Sequence, residues 1–416
     1  MDHEPRKRSG PARGEHALRP APESAAAVAS VPYDVVSTEE ARALAAGNPL
    51  SFLHVTRAEI DLPSNTNPYG AAVYEQAVRN FEELKRTAPL VLDDRPSLYI
   101  YRLRMDGHEQ TGVAGCFSLD EYNQGLVKKH EKTRKDKEDD RTRHMLDLQA
   151  QTGIVFLTYH ASAAVDAVTA RATAKPPLYE ITAPDGVCHT VWQVRDGDMN
   201  ALVQGFAQLP ALYIADGHHR VASAARAYDT LRQQGGRDHE ASRFIAVAFP
   251  DREVQILAYN RIVKDLRGQS APEFLRALQS RVPVQAGSPV PERRGEVSMY
   301  LAGEWHAISL PSPPAGTTRA ETLDVERLHR VVLEPLLGIG DIRTDRRIDF
   351  VGGIRGADRL KELVDSGKAA VAFSMYPVAI ADLVAISDEG DIMPPKSTWF
   401  EPKLRDGLLV HLIRTS

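Results

Sequence analysis

The stretch Ala215-Asp216-Gly217-His218-His219-Arg220 stands between an apolar segment and a segment with helical spacing. The apolar run 211–214 before it is typical of a buried strand. After it, apolar residues recur every three or four positions, and a Gly-Gly pair at 235–236 predicts where this helix ends. A glycine-containing turn that leads into a helix presents backbone N–H groups at the positive end of the helix dipole. The stretch therefore predicts an anion site.

The polar side chains of this turn support the same interpretation. Asp216 supplies a carboxylate, His218 and His219 supply imidazoles, and Arg220 supplies a guanidinium. These are the groups that a site needs to hold a phosphate and to handle a proton. The alternative is a polar turn in which Asp216 caps the helix and the histidines are solvated. Four such groups side by side favour the functional interpretation.

The composition is that of a globular protein with a substantial core. Of the 416 residues, 43% are hydrophobic and 26% are charged, and the formal net charge is −5. That charge provides no general attraction for nucleic acid or anionic membranes. No apolar run approaches the ~20 residues of a membrane span, and residues 1–30 lack the apolar core of a secretory signal. The two cysteines, Cys116 and Cys188, predict buried reduced thiols in a cytoplasmic protein.

The order of predicted elements indicates an α/β fold in which helices and strands mix without strict alternation. We expect a flexible tail over 1–30, a core over 31–262 and a C-terminal α/β region over 263–416. Ser37 and Glu40 form a predicted capping box for a helix that ends near Gly47. The other predicted helices are 73–85, 324–337 and 357–366. The predicted strands are 98–103, 112–117, 189–194, 211–215, 244–249, 254–259 and 369–374.

A second candidate region is the charged stretch Lys128–His144, which contains no large apolar residue before Met145. One interpretation is a solvated helix with ion pairs four residues apart, such as 131 with 135 and 139 with 143. The other places the start of this helix at a polyphosphate, with its lysines and arginines neutralising charge. Glu131, which stays ionised among cations, would then act as a general base for an alcohol held beside a metal.

Other motifs are weaker. The chain has no Gly-x-x-x-x-Gly-Lys-Ser/Thr loop, which argues against a P-loop nucleotide hydrolase. Gly352–Gly356 is more typical of a strand-to-helix turn than of a dinucleotide loop. The cluster Met393–Lys403 admits two interpretations: a loop that places Lys396 and Ser397 over an anionic ligand, or a packed aromatic segment with solvated lysines.

Five blocks of the sequence, taken in order, resemble the DUF 1015 family, whose function is poorly settled. They are Val31–Ser37, His130–Thr133, Ala215–Arg220, Leu333–Ile339 and Pro395–Thr398. The likeness extends over nearly everything after residue 30. The turn and its Ala-rich helix also resemble, more distantly, the phosphate-binding box of the ParB/sulfiredoxin-like fold. That fold includes chromosome-partitioning nucleotide switches, sulfiredoxin and the free serine kinases. The resemblance implies a nucleotide-binding core of this kind with large insertions and a C-terminal α/β lobe.

In the free serine kinases, a His-Glu pair upstream of the box supplies a catalytic glutamate and the box supplies a catalytic aspartate. The resemblance therefore implies that Glu131 and Asp216 are catalytic and that Asp216 binds Mg²⁺. It implies ATP or ADP with Mg²⁺ as the phosphoryl donor, L-serine as the acceptor and O-phospho-L-serine as the product. The candidate nucleotide-binding residues are Gly217, His218, His219, Arg220, Lys129, His130, Lys132, Thr133 and Lys396.

Two other functions stay open. The first is a ParB-like nucleotide-binding regulator without kinase activity; the negative charge and the lack of a basic helix-turn-helix weigh against it and against a nucleic-acid partner. The second is sulfiredoxin-like redox repair, which needs a reactive cysteine beside the turn, whereas Cys116 and Cys188 are neither in the box nor next to a cationic motif. About eighty residues separate Glu131 from Asp216, more than in the compact kinases, and the residues that select serine cannot be mapped. The pattern predicts no membrane partner and leaves the oligomeric state open.

Overall fold

The computed structural model describes residues 16–235 and 240–414, which belong to two units. The first unit contains the described residues up to 129, those from 133 to 254 and those from 402 onwards. The second unit contains residues 130–132 and 255–401. The sequence predicted a domain boundary at 262/263. It did not predict that the described residues from 402 onwards belong to the first unit.

The strands of the described residues are, in chain order, β1 (Leu18–Pro20), β2 (Leu90–Leu92), β3 (Leu98–Met105), β4 (His108–Ser118), β5 (Val127–Lys128), β6 (Ala150–Gln151), β7 (Val155–Tyr159), β8 (Tyr179–Thr182), β9 (Cys188–Val194), β10 (Leu212–Asp216), β11 (Arg243–Pro250), β12 (Ile256–Leu257), β13 (Tyr259–Val263), β14 (Val284–Ala286), β15 (Glu296–Leu301), β16 (Glu304–Ser309), β17 (Ile348–Gly352), β18 (Val371–Ser374), β19 (Trp399–Phe400) and β20 (His411–Leu412).

The α-helices of the same residues are α1 (Ala25–Val28), α2 (Thr38–Ala45), α3 (Leu53–Thr56), α4 (Ala71–Thr87), α5 (Leu119–Asn123), α6 (Lys135–Leu148), α7 (Ala163–Thr173), α8 (Asp196–Ala207), α9 (His218–Gln233), α10 (Ala271–Gln279), α11 (Asp324–Leu328), α12 (Gly356–Asp365) and α13 (Ile380–Asp388). Among the described residues, no helix is both long and apolar enough to cross a bilayer.

The first unit is built on an eight-stranded mixed sheet with the order β5-β10-β7-β11-β4-β3-β9-β8. The pairs β5/β10 and β7/β11 are parallel, and the remaining pairs are antiparallel. The central strands β7 and β11 are apolar runs buried along nearly their whole length, and α7, α8 and α9 contribute to the same core. Leu212 and Ile214 of β10 belong to this core as well, and each fully buried large apolar side chain contributes about 1.5–3 kcal/mol to stability.

The second unit contains a six-stranded antiparallel sheet with the order β14-β16-β15-β18-β13-β17. The apolar face of α12, with Leu360 and Leu363, packs against Ile262, Val351 and Ala372 of this sheet. Mixed helix and strand content in both units confirms the α/β class expected from the sequence.

Several predicted elements are confirmed. Ser37 and Glu40 form the expected capping box, with the Glu40 N–H donating to Ser37 Oγ at 3.2 Å and the Ser37 N–H donating to Glu40 Oε2 at 2.8 Å. The predicted helices at 73–85 and 357–366 correspond to α4 and α12. The predicted strands at 98–103, 112–117, 189–194, 211–215, 244–249 and 369–374 correspond to β3, β4, β9, β10, β11 and β18.

Other predictions were wrong. A helix over 128–144 is contradicted, because residue 128 ends β5 and α6 begins only at Lys135. Nor is α6 solvated all round, since Asp140, Thr142 and His144 are buried on it. Asp139 pairs with Arg226 at 2.5 Å, and Arg143 pairs with Asp147 at 3.4 Å, instead of with each other. In a sequence, polar side chains that pair with a neighbouring helix cannot be distinguished from polar side chains that face solvent.

Three further differences are local. The predicted strand 254–259 is divided between β12 and β13, and the predicted helix 324–337 ends as α11 at Leu328, where a π-helical turn follows. The predicted tail lies outside the described residues over 1–15, but residues 16–30 contain β1 and α1, with Ala25 and Val28 buried. Both cysteines are free thiols; Cys116 is buried, whereas Cys188 is half-buried.

Candidate functional site

The turn at residues 216–220 joins β10 to α9 in the first unit. Asp216 is the last residue of β10, and Gly217, not Asp216, occupies the N-cap position of α9 with φ +98°. L side chains avoid this left-handed region. A Cβ on Gly217 would also lie 3.3 Å from Arg220 Nη1 and 3.4 Å from Val155 Cα. Glycine therefore allows the chain to enter α9 with the positive end of the helix dipole at Asp216.

Asp216 forms an ion pair with a lysine from the last segment of the first unit. Lys403 Nζ donates to Asp216 Oδ2 at 2.9 Å. Burial would raise the pKa of Asp216, but the positive charges of Lys403 and Arg220 outweigh it and hold this pKa well below its usual range. Because 29% of the Asp216 side chain stays exposed, an ionised carboxylate is available beside the turn.

Arg220 points into the protein and only 4% of the residue is exposed. Its Nη1 donates to the Ile154 carbonyl at 2.6 Å, and its Nη2 donates to both carboxylate oxygens of Asp34, at 3.1 and 2.8 Å. These bonds use the planar fork of the guanidinium to join the start of α9 to the loop before α2. Arg220 thus stabilises the turn from the interior of the first unit.

A second carboxyl group, Asp406, lies buried close to this arginine and is 2% exposed. Burial and the charge of Asp34 raise the pKa of Asp406 to about 7, while Arg220 and backbone N–H groups of Ile154 and Tyr33 lower it. Within the described residues, its Oδ2 atom has no hydrogen-bond partner. Burial, together with the missing partner of Oδ2, therefore favours the protonated form of this carboxyl group.

The chain that follows β5 is tied to the turn. Since β5 and β10 pair in parallel, with Leu212 opposite Val127, the segments that leave the two strands emerge at the same edge of the sheet. Further along, the Arg134 N–H donates to His219 Nε2 at 3.0 Å. While this bond exists, the His219 ring carries its proton on Nδ1. The residues on either side of 130–132 are thus both held next to the strand and helix that carry the turn.

The remaining predicted residues are distributed over both units. In the first unit, Lys129 Nζ lies 6.0 Å from the ring centre of Tyr122, and Thr133 Oγ1 donates to Glu138, in the first turn of α6. His218 is buried and His219 is half-buried.

In the second unit, the His130 carbonyl accepts the Met393 N–H at 2.8 Å. Glu131 is half-buried, whereas Lys132 and Lys396 are exposed. Lys396 has φ +57°, and its Nζ lies 5.3 Å from the ring centre of Tyr259.

Sequence reasoning missed three charged residues that surround the turn in the first unit: Asp34, Lys403 and Asp406. Two signals were available. Asp34 lies in the block Val31–Ser37, which carried the family resemblance but was given no role. Lys403 is the last residue of the cluster Met393–Lys403, in which the sequence pointed only to Lys396 and Ser397. For Asp406 we find no sequence signal, because its role depends on how the chain's last segment returns to the first unit.

The donor set at the turn suits Mg²⁺, which binds through one or two carboxylates and keeps other positions for water and substrate phosphates. Asp216 supplies an ionised, partly exposed carboxylate. Its Oδ2 is paired with Lys403, which leaves Oδ1 as the oxygen that suits a metal.

Comparison with known proteins supports the family resemblance. The family model described as "Protein of unknown function (DUF1015)" matches residues 13–330. A search of curated proteins found no match.

Among solved structures, a conserved hypothetical protein from Pyrococcus furiosus is 16% identical, covers 72% of this chain and 95% of its own, and has a TM-score of 0.36. A free serine kinase in complex with AMP is 14% identical, with coverage of 71% and 91% and a TM-score of 0.36. C-terminally truncated SbnI from Staphylococcus aureus is 10% identical, with coverage of 72% and 87% and a TM-score of 0.38. Similarity at this level carries no inference about activity.

Proposed function

Since the chain belongs to the DUF1015 family, whose description names no activity, we propose its function from the site itself. We propose a small-molecule kinase that transfers a phosphoryl group from ATP or ADP to a free hydroxy amino acid. The proposed acceptor is L-serine, and the product is then O-phospho-L-serine. The proposal rests on the turn at 216–220 and on the segment that contains Glu131.

The observation that carries the proposal is the hydrogen bond from the Arg134 N–H to His219 Nε2, at 3.0 Å. Glu131 precedes Arg134 by three residues, and three extended residues span at most about 11 Å. The other end of the segment follows β5, the parallel neighbour of β10. This short chain distance supports the proposal that Glu131 acts at the turn that carries Asp216.

In the proposed reaction, a bond forms between the acceptor hydroxyl oxygen and the terminal phosphorus of the nucleotide. The bond from that phosphorus to its bridging oxygen breaks, and ADP or AMP leaves. Glu131 takes the proton of the hydroxyl group. Asp216 orients the hydroxyl group or holds Mg²⁺, which, when bound, neutralises phosphate charge. Phosphoryl transfer asks the protein mainly for such positioning and electrostatics.

The other candidate residues divide into ligands and supports. The start of α9 and the half-buried His219 face the position proposed for the phosphates, with Lys129, Lys132 and Lys396 as further candidate cations. Arg220 is proposed as a positioning residue, because its guanidinium is bonded to Asp34 and to the Ile154 carbonyl. Its contribution to phosphate binding is to hold the turn in place.

The test incubates the full chain with ATP or ADP, Mg²⁺ and each amino acid in turn, and measures phosphoserine by mass spectrometry. We expect serine-dependent product, and we expect Glu131→Gln to lower its rate about 10²- to 10⁴-fold while nucleotide affinity changes less than about threefold. The matched control is Glu75→Gln, an exposed glutamate on α4, which should keep full activity.

Two results would contradict the proposal. Wild-type activity in Glu131→Gln would remove the proposed base. Saturable nucleotide binding without product from any acceptor would instead support a nucleotide-binding regulator.

A further inference from the structure

A second, separate feature of the first unit is a pocket between α4 and α6. Its cavity volume is about 160 Å³, smaller than the ~300–1,000 Å³ of sites for drug-sized ligands, so it suits a small molecule with a single ring. The proposed kinase mechanism uses none of the residues that line it. The lining residues that decide its chemistry are Tyr33, Arg57, Tyr69, Tyr74, Lys137 and Arg141.

The charges of the lining leave one cation without an acidic partner. Arg57 Nε lies 3.0 Å from Glu59 Oε1, and Arg141 Nε donates to Asp140 Oδ2 at 2.8 Å. Lys137, in contrast, has no carboxylate partner within the described part of the chain. Its Nζ donates to the hydroxyl of Tyr69 at 2.7 Å.

The tyrosines give the pocket flat, partly apolar walls with hydroxyl groups. The guanidinium of Arg141 lies 4.2 Å from the ring centre of Tyr33, and Lys137 Nζ lies 5.2 Å from that of Tyr69. Tyr69 is 50% exposed, so its ring offers a surface on which a planar group can stack. Tyr74 donates its hydroxyl hydrogen to Asp140 Oδ1 at 2.7 Å and is therefore held in place.

The histidine that lines the pocket, His144, adds no further charge. His144 is buried, and its Nε2 donates to the Val55 carbonyl at 3.0 Å. Burial, helped by the nearby Arg141, lowers the pKa of His144 to about 3, so that the ring is neutral at physiological pH. The excess positive charge of the pocket thus lies at Lys137, beside the exposed ring of Tyr69.

We propose that this pocket binds a small organic anion, whose carboxylate or phosphate group pairs with Lys137 and whose planar or apolar body packs on the tyrosines. A charge-assisted bond at Lys137 would orient the ligand, and the aromatic walls would supply the buried apolar area. The pocket adjoins the turn at 216–220 through Tyr33, whose ring centre lies 5.9 Å from the Arg220 guanidinium. No residue of the turn lines it, so anion binding here does not depend on the kinase activity.

The test measures binding of three probes that share a benzene ring: benzoate, phenyl phosphate and the neutral benzyl alcohol. Isothermal titration of the full chain should show 1:1 binding of at least one anion, at least about tenfold tighter than the alcohol. Comparison of the two anions identifies which kind of anionic group the pocket prefers. Lys137→Met should weaken anion binding about five- to tenfold and should leave the weak binding of the alcohol unchanged.

The matched control is Lys135→Met, which removes an exposed lysine two residues earlier on the same helix, outside the lining. It should bind the anions like the unsubstituted chain. The thermal midpoint of each variant verifies that it is folded. The proposal is wrong if neither anion binds more tightly than benzyl alcohol, or if the two lysine variants lose affinity equally.

Discussion

Replacement of Asp406 by asparagine should change how the stability of this protein depends on pH. Asp406 is 2% exposed, and the main cause of its raised pKa is burial. Asparagine has nearly the same shape and cannot ionise, so it imitates the protonated form of the carboxyl group. The substitution therefore removes the cost of charging this position and retains most of its packing.

The magnitude follows from the two pKa values. Folding raises the pKa of Asp406 from 3.8 to about 7, a shift of about three units, and each unit corresponds to about 1.4 kcal/mol. Between these two values the folded state keeps a proton that the unfolded state has released, so the free energy of unfolding falls as the pH rises. Between pH 4 and pH 8, the free energy of unfolding of the wild-type chain should therefore fall by up to about 4 kcal/mol relative to that of Asp406→Asn.

The assay is urea unfolding followed by circular dichroism at pH 4, 5, 6, 7 and 8, with the difference between the two chains plotted against pH. Asp94→Asn, at an aspartate whose side chain is 71% exposed, serves as the control and should track the wild-type chain at every pH. A difference between wild type and Asp406→Asn that stays constant over this range would refute the reasoning.

Three further predictions concern the turn, and urea unfolding tests each of them. Gly217→Ala should destabilise the chain by about 1–2 kcal/mol, because the residue has φ +98°; unchanged stability would contradict this. Arg220→Lys should cost about 2 kcal/mol, since lysine cannot reproduce the bonds to Asp34, whose side chain is 38% exposed; a loss below about 0.5 kcal/mol would contradict it. Lys403→Met should raise the depressed pKa of Asp216. The wild-type advantage over that variant should be full above about pH 4 and shrink as the pH falls below it; an advantage that grows on acidification would be inconsistent with the ion pair.

Local signals predicted much of the fold. The apolar runs at 98–103, 211–215 and 244–249 correspond to β3, β10 and β11, because a strand buried on both faces needs a continuous apolar sequence. The capping box at Ser37 and Glu40 was readable because both of its bonds lie within four residues. Prediction failed where a segment is stabilised by distant partners. The clearest case is α6, whose polar residues Asp140 and His144 are buried against Tyr74 and Val55.

The candidate site shows the same limit. The identity of the turn residues and the need for glycine at 217 follow from the local sequence. The partners of those residues do not: Asp34 reaches Arg220 across 186 positions of the chain, and Lys403 reaches Asp216 across 187. No local pattern records pairs so far apart.

By itself, the sequence determined the strand–turn–helix at residues 211–233 and the family to which the chain belongs, because both depend on residues that are neighbours along the chain. Only the tertiary structure decided which charges surround that turn. It bonded Arg220 to Asp34, paired Asp216 with Lys403, 187 residues later in the chain, and buried Asp406 in surroundings that raise its pKa to about 7. The physical reason is that a charge is stabilised or penalised by what lies within a few ångströms of it in space, and in a folded chain those neighbours come from segments far apart in sequence.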